Sequence, residues 1–364
     1  MSSLGKLDRI RISGFKSIEH LDLNLRPLNI LIGPNGAGKS NFIGFFRFMN
    51  KLLEKNLQFH VAQQLGADKL LFFGRKRTDA MTFYLEFTPN AYGCTLAPDA
   101  AGGLVFAEEY CQFFGDRIGY QGGTKMRSLA AAGAKESGLP DSPNTATPAG
   151  HVVGYLRDWK VYHFHDTSES AKVKQPGRGE TDFLLPQADN LAAFLRSIRD
   201  TDAYTLIVRT IRRVAPFFLD FVLEPERDNP KLIRLRWKHR GSEDTFDASD
   251  FSDGTLRFIC LATLLLQPKL PTMILLDEPE LGLHPHALNL LAGMMRATSS
   301  RTQIIASTQS VTLVNQFSWE DLIVVDRVDD ASQFRHLSEA EVSAWLDEFS
   351  IGELWEKNII GGTP

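Results

Sequence analysis

Apolar and polar residues alternate near the start of the chain. Ile10 and Ile12 alternate with Arg9 and Arg11, and Leu21, Leu23 and Leu25 with Asp22 and Asn24. A period of two predicts half-buried strands across 7–32, with a bend at Ser13-Gly14-Phe15-Lys16-Ser17. Leu28-Asn29-Ile30-Leu31-Ile32 reads as a buried strand. From Ser40 to about Lys55 the period becomes helical, with Phe42, Phe45, Phe46, Met49, Leu52 and Leu53 on one side. A short apolar run, Leu70 to Phe73, precedes a strand with Met81, Phe83, Leu85 and Phe87 on one face, and 88–125 continues as a β meander. From Ser128 to Gly150 the chain turns to Ala, Gly, Ser, Pro and Thr, which predicts an exposed, flexible insertion.

Order resumes at Val161, and a second polar stretch, Ser168 to Thr181, reads as loop. Asp189-Asn190 caps a helix beginning at Leu191, and a further helix runs from about Asp202 to Val214, ended by Pro216. Phe218 to Leu223 and Leu232 to Trp237 read as strands; in the second, Ile233, Leu235 and Trp237 alternate with Arg234, Arg236 and Lys238. Met273 to Leu276, Gln303 to Ala306 and Leu322 to Val325 are apolar runs of the parallel-strand type, separated by helical segments. With 28–32 they form a parallel core drawn from both ends of the chain, into which the middle is inserted. No heptad run and no internal repeat is present.

Composition narrows the class without naming a function. Hydrophobic residues at 43% and charged residues at 23% over 364 residues are ordinary for a globular chain able to hold two domains. A net charge of −4 provides no global basic field, so any nucleic-acid surface has to be local. Cys94, Cys111 and Cys260 are far apart and lack metal-ligand spacing, consistent with reduced thiols. No apolar run of about twenty residues argues for a membrane span, and the first residues lack a signal-peptide apolar block, so a cytoplasmic protein is expected.

Chemistry enters at Gly33-Pro34-Asn35-Gly36-Ala37-Gly38-Lys39-Ser40, which fits G-x-x-x-x-G-K-[ST] at every fixed position and sits between a strand and a helix. Three glycines let successive N–H groups turn into one anion-sized hollow. Lys39 is placed to reach the outer phosphates of a nucleoside triphosphate and Ser40 to ligate Mg²⁺, while the helix start adds its dipole. Farther on, the strand Met273 to Leu276 ends in Asp277 and Glu278, two acids at the edge where open α/β sheets bind ligands. Asp277 suits Mg²⁺ and Glu278 suits polarising a water. Ser252-Asp253-Gly254 precedes an apolar helix, and a helix cap alone accounts for it. His163 and His165 share a strand face near Asp166; a metal site is one reading, but no further ligands are spaced to join them, and a structural role is favoured. Arg234, Arg236, Lys238 and Arg240, with Arg75-Lys76-Arg77 and Arg212-Arg213, suit a DNA-facing patch or a solvated strand face equally well.

Taken together, these motifs resemble the ABC-class ATPases, in the branch of the RecF and SMC heads and the OLD-type ATPases, and most of all the stand-alone RecF-like ATPases of bacteria. The residues carrying the resemblance are Gly14-Phe15-Lys16-Ser17, Gly33 to Asn41, Tyr162-His163-Phe164-His165-Asp166, Ser252 to Arg257, Asp277 to Pro285, Ser307-Thr308-Gln309-Ser310 and Gly352-Glu353-Leu354-Trp355. They span most of the chain except roughly 90–150. The resemblance implies an α/β fold: a P-loop NTPase of the ABC ATPase head type, a mixed sheet with an antiparallel β subdomain and an inserted helical lid region, without a long coiled coil. Residues 1–90 would form the N-terminal lobe, 91–250 the inserted region and 251–364 the C-terminal lobe.

It further implies that two copies sandwich two ATP molecules head to tail. Asn35, Gly36, Ala37, Gly38, Lys39, Ser40 and Asn41 of one chain would bind the nucleotide, and Ser252 and Gly254 of the other would reach its γ-phosphate. Glu280 to His284 would occupy a loop at the dimer interface. Ser40 and Asp277 would hold Mg²⁺, Glu278 would drive hydrolysis, and Gln309 stands where the switch histidine usually lies. Glutamine donates a hydrogen bond but does not change charge near neutral pH, so slow turnover is expected. Asp253 stands where the signature usually has glycine. Gln63 and Gln64 are the candidates for the Mg²⁺-ligating loop glutamine. The implied task is DNA repair, DNA maintenance or anti-phage defence, with double-stranded DNA as a partner. A rival reading is a sensor or scaffold whose ATP-clamped dimer holds a separate effector such as a nuclease. A transporter subunit at a membrane is disfavoured by the Phe15-Lys16-Ser17 start and the missing switch histidine.

Overall fold

The computed structural model describes residues 5–118, 123–142, 146–178 and 182–362. The chain divides into two compact units, Met1–Trp159 with Ser318–Pro364, and Lys160–Phe317.

In the first unit the period-two segments pair as expected. Six antiparallel strands lie in the order Ile18–Asn24, Arg9–Phe15, Met81–Phe87, Asn90–Pro98, Leu104–Phe114, Thr124–Ser128. Ile10 and Ile12 are fully buried while Arg9 and Arg11 stay at the surface, where Arg9 pairs with Asp22 at 2.6 Å. Separately, Leu28–Ile32, buried along its whole length, runs parallel to Leu322–Val328, which pairs antiparallel with Ala331–His336. The helix Lys39–Leu53 buries Phe42, Phe45, Phe46, Phe48, Met49 and Leu52, and Leu53 is only half-buried. Phe15, Phe45, Phe48 and Phe83 meet with ring centroids 5.0–6.0 Å apart. Such edge and tilted contacts add to area burial in fixing the helix on the sheet.

The segment 128–150, expected to be exposed and flexible, is instead built into this unit, leaving aside 143–145, which lie outside the described residues. Gly133 and Ala134 exchange backbone hydrogen bonds of 2.8 Å with Phe106. The Glu136 carboxylate accepts from the Leu57 and Gln58 amides, satisfying orphan donors at the start of the helix Leu57–Gln63. Glu109, wholly buried, accepts from the Tyr92 hydroxyl at 2.7 Å, the Gly138 amide at 2.8 Å and the Ser137 hydroxyl. Leu139 is buried, and a helix forms at Pro148–Arg157, capped by Thr147. Composition missed this because a few polar side chains, spent on backbone amides, order the segment where apolar bulk is scarce.

The second unit pairs Met273–Asp277 in parallel with Gln303–Ser307 and carries the helices Asp253–Leu266 and Pro285–Ser299. A three-stranded antiparallel sheet, Phe218–Val222, Arg236–His239, Thr245–Asp247, packs aromatic side chains, with Trp237 stacked on Phe251 at 4.4 Å. The helix Asp202–Val214 falls where its periodicity put it. The helix Leu191–Ser197 also forms, but Asn190 does not cap it with its side chain, which instead bonds the Leu185 amide and the Phe183 carbonyl.

The expected strand Leu232–Trp237 is two strands in two sheets. Leu232–Ile233 pairs with Gly177–Arg178, and Arg236–His239 with Phe218–Val222. Arg234 and Arg236 both pair with Glu226, so they do not form a free basic row. Among the described residues no helix exceeds 15 residues, which leaves no long coiled coil, and none is long and apolar enough to cross a membrane.

Candidate functional site

Two clusters hold the residues singled out in the sequence, one in each unit. In the first, the chain leaves Leu28–Ile32 and wraps through 33–38 into the helix that starts at Lys39. Gly33 and Gly38 are required sterically. A Cβ at 33 would stand 2.1 Å from the Val325 carbonyl oxygen, and one at 38 would stand 2.0 Å from the Ser332 hydroxyl. Gly36 faces open space; only its φ of 79° asks for glycine. Lys39 is 5% exposed, and its ammonium donates to the carbonyls of Gly33 at 2.5 Å and Pro34 at 3.0 Å. The cation therefore already lies across its own loop. Ala37 is buried; Asn35, Gly36 and Ser40 are exposed. No side chain caps the helix start and no acid occupies its first turn, which keeps the dipole's positive end for an anion.

Hydroxyls brace the loop from behind. Ser332 donates to the Ser17 hydroxyl at 2.7 Å, and Asn41 donates to the same oxygen at 2.7 Å. Ser332 was not legible as a site residue: it lies 315 positions from Ser17 and carries no motif. Beside this brace opens a cavity of about 760 Å³ lined by Ser17, Asn41 and Gln64. Its rim carries five cationic side chains, Lys16 and Arg327 among them, against the carboxylates of Asp68 and Asp330. Burial lowers the Lys16 ammonium from its ordinary value, and the nearby Arg47 adds to this.

The second cluster forms at the end of Met273–Asp277. Asp277 lies opposite Ser307 in the parallel ladder, and the Ser307 hydroxyl donates to its carboxylate. Glu278 takes a left-handed φ of 46°, a cost of roughly 1–2 kcal/mol for a residue with a side chain. Its amide donates to the Ser307 carbonyl at 3.0 Å, and its carboxylate accepts from the Gln309 side-chain amide. Glu280 accepts from the Thr308 hydroxyl at 2.6 Å and the Gln309 amide at 2.8 Å, and burial raises its pKa above the ordinary range.

Within this unit Ser252 caps the helix Asp253–Leu266, accepting from the Thr255 amide at 3.3 Å, and remains exposed. A Cβ at Gly254 would stand 2.2 Å from the Gly282 carbonyl oxygen, so close packing alone requires that glycine. Leu281, in the loop Glu280 to His284, is 41% exposed. His165 and Asp166 do not gather with His163 into a metal site; no group of three or more candidate ligands exists among the described residues. His165 instead bonds the Asp277 carbonyl.

Residues 132–315, just over half of the chain, match the family described as "AAA domain, putative AbiEii toxin, Type IV TA system", and residues 6–89 match an AAA ATPase domain. The chain belongs to this AAA domain family. The Old nuclease of Escherichia phage P2 is 22% identical, over 85% of this chain and 57% of its own length. For the OLD nuclease of Thermus scotoductus the figures are 25%, 93% and 65%. This AAA chain thus spans less than two thirds of either relative. Among solved structures it resembles an Smc head bound to the C-winged helix domain of ScpA, with a TM-score of 0.55 at 14% identity, covering 93% of this chain and 99% of that one. An Smc head from Pyrococcus furiosus gives 0.52 at 14% identity, covering 94% and 98%. At such identity the likeness is one of fold, and that fold is the one of the Smc head.

Proposed function

We propose that this AAA domain protein binds and hydrolyses ATP and dimerises head to tail around it. The observation that carries this reading is the loop 33–40: Gly33 and Gly38 fixed by close contacts, an uncapped helix start, and a lysine already laid across the hollow. Asn35 to Asn41 would receive the phosphates, and Lys39 would exchange its carbonyl partners for phosphate oxygens. The exposed Ser40 hydroxyl and the Asp277 carboxylate are hard oxygen donors that fit Mg²⁺. Bound there, Mg²⁺ would supply charge neutralisation to the phosphates.

Glu278 would accept the proton of the attacking water, held in place by the Gln309 amide. That amide cannot carry a proton away as an imidazole does, which makes turnover slow. Ser252 and Gly254 of a second copy would complete the γ-phosphate contacts, with Leu281 and its loop at the interface. The two relatives named as nucleases favour a DNA-linked role. We assign this chain the ATP-gated step.

Light scattering tests the central point. A Glu278→Gln variant with ATP and Mg²⁺ should run as a dimer and revert to monomer without nucleotide. A variant that stays monomeric with ATP present sinks the sandwich mechanism.

A further inference from the structure

The peptide unit between Asp277 and Glu278 is gripped at both polar ends. Its N–H, carried by Glu278, donates to the Ser307 carbonyl at 3.0 Å and lies 3.3 Å from the Ser307 hydroxyl. Its C=O, carried by Asp277, is bonded by His165 Nε2 at 2.7 Å. A carbonyl only accepts, so His165 must hold its proton on Nε2. His165 is in turn fixed: its own carbonyl accepts from the Arg257 guanidinium at 2.8 Å, and the same guanidinium donates to the Leu281 carbonyl at 3.0 Å. Arg257 lies on the helix Asp253–Leu266, the one capped by Ser252.

The grip matters because Glu278 sits in the left-handed region without being glycine. Rotating the 277–278 peptide plane changes φ of Glu278 and is the direct route by which that strain relaxes. A strained residue persists only when its surroundings over-determine it. Two bonds on one peptide supply that: Ser307 alone leaves the carbonyl end free, and His165 closes it.

We propose that His165 is a positioning residue that locks the 277–278 peptide and so keeps the Glu278 carboxylate aimed for hydrolysis. Arg257 ties this lock to the Ser252 helix and to the loop carrying Leu281. Losing the imidazole N–H frees the carbonyl, the peptide rotates, and the carboxylate leaves its bond with Gln309. Nucleotide binding, which rests on the loop at 33–40, is unaffected. This inference rests on the hydrolytic reading above.

Steady-state ATPase kinetics with His165→Leu and His165→Gln test it, with nucleotide affinity and melting temperature measured on each. Leucine fills the space without donating; glutamine can donate from a side-chain amide. His165→Leu should lower kcat about tenfold or more, as misplacement near a reacting centre does, with KM within about twofold. His165→Gln should recover most of that loss at an unchanged melting temperature. If His165→Leu turns over like the wild type, or folded His165→Gln is as impaired as His165→Leu, the lock is wrong. If the wild type binds ATP but shows no turnover under any condition, the hydrolytic reading falls, and this inference with it.

Discussion

The two clusters are built from different materials. The loop at 33–40 is made of backbone: Lys39 reaches carbonyls five and six residues away, and two of its three glycines, Gly33 and Gly38, answer to contacts a Cβ would violate. The acidic edge at 277–280 is made of side chains brought from afar. Gln309 lies 31 positions from Glu278, and His165 lies 112 from Asp277. A backbone-built site tolerates little change at the glycines that Val325 and Ser332 press against. A side-chain-built site tolerates change at single positions but fails in function when a remote partner is lost.

The sharpest way to break this contrast is at the glycines. Gly33→Ala puts a methyl 2.1 Å from a backbone oxygen that cannot move aside, at a φ of 153°. It should destabilise the first unit by about 3 kcal/mol or more, read as a fall in denaturation midpoint, in line with severe overpacking. Gly36→Ala meets nothing within 4 Å and pays only for its left-handed φ, about 1 kcal/mol. Equal losses for the two would show that sterics do not shape the loop.

This difference also explains what could be read from the sequence. The P-loop, its flanking strand and helix, and the strand ending in Asp277-Glu278 are local spellings, and each reached its expected place. What could not be read depends on long-range partners. The segment 128–150 looked unable to order itself because nothing local says that Glu109 would bind its Gly138 amide or that its own Glu136 would bind the amides that start a distant helix. Leu232–Trp237 alternates like one strand, yet tertiary pairing divides it between two sheets. His165 was legible as a structural histidine, but its target, the Asp277 carbonyl, was not.

A smaller effect sharpens the side-chain half of the comparison. Burial raises the pKa of Glu280, so between its unfolded and folded values the folded chain binds more protons than the unfolded one. Stability from this group is present at low pH and is lost as pH rises through the folded value. Glu280→Gln keeps an oxygen for Thr308 and the Gln309 amide while removing the titration. It should flatten the fall in melting temperature with rising pH above the ordinary carboxylate range, with a shift of only a few degrees at neutral pH. An unchanged slope would mean that Glu280 is not held against its charge.

The central claim is that one cluster binds and the other turns over. Paired measurements of ATP affinity and phosphate release on Lys39→Ala and Glu278→Gln test it most directly. Lys39→Ala should weaken ATP binding by about tenfold or more, as expected for a lost charge-assisted contact of about 1.5–3 kcal/mol. Glu278→Gln should bind as the wild type does while phosphate release falls by about a hundredfold or more. A Glu278→Gln variant that hydrolyses ATP at the wild-type rate would contradict the account.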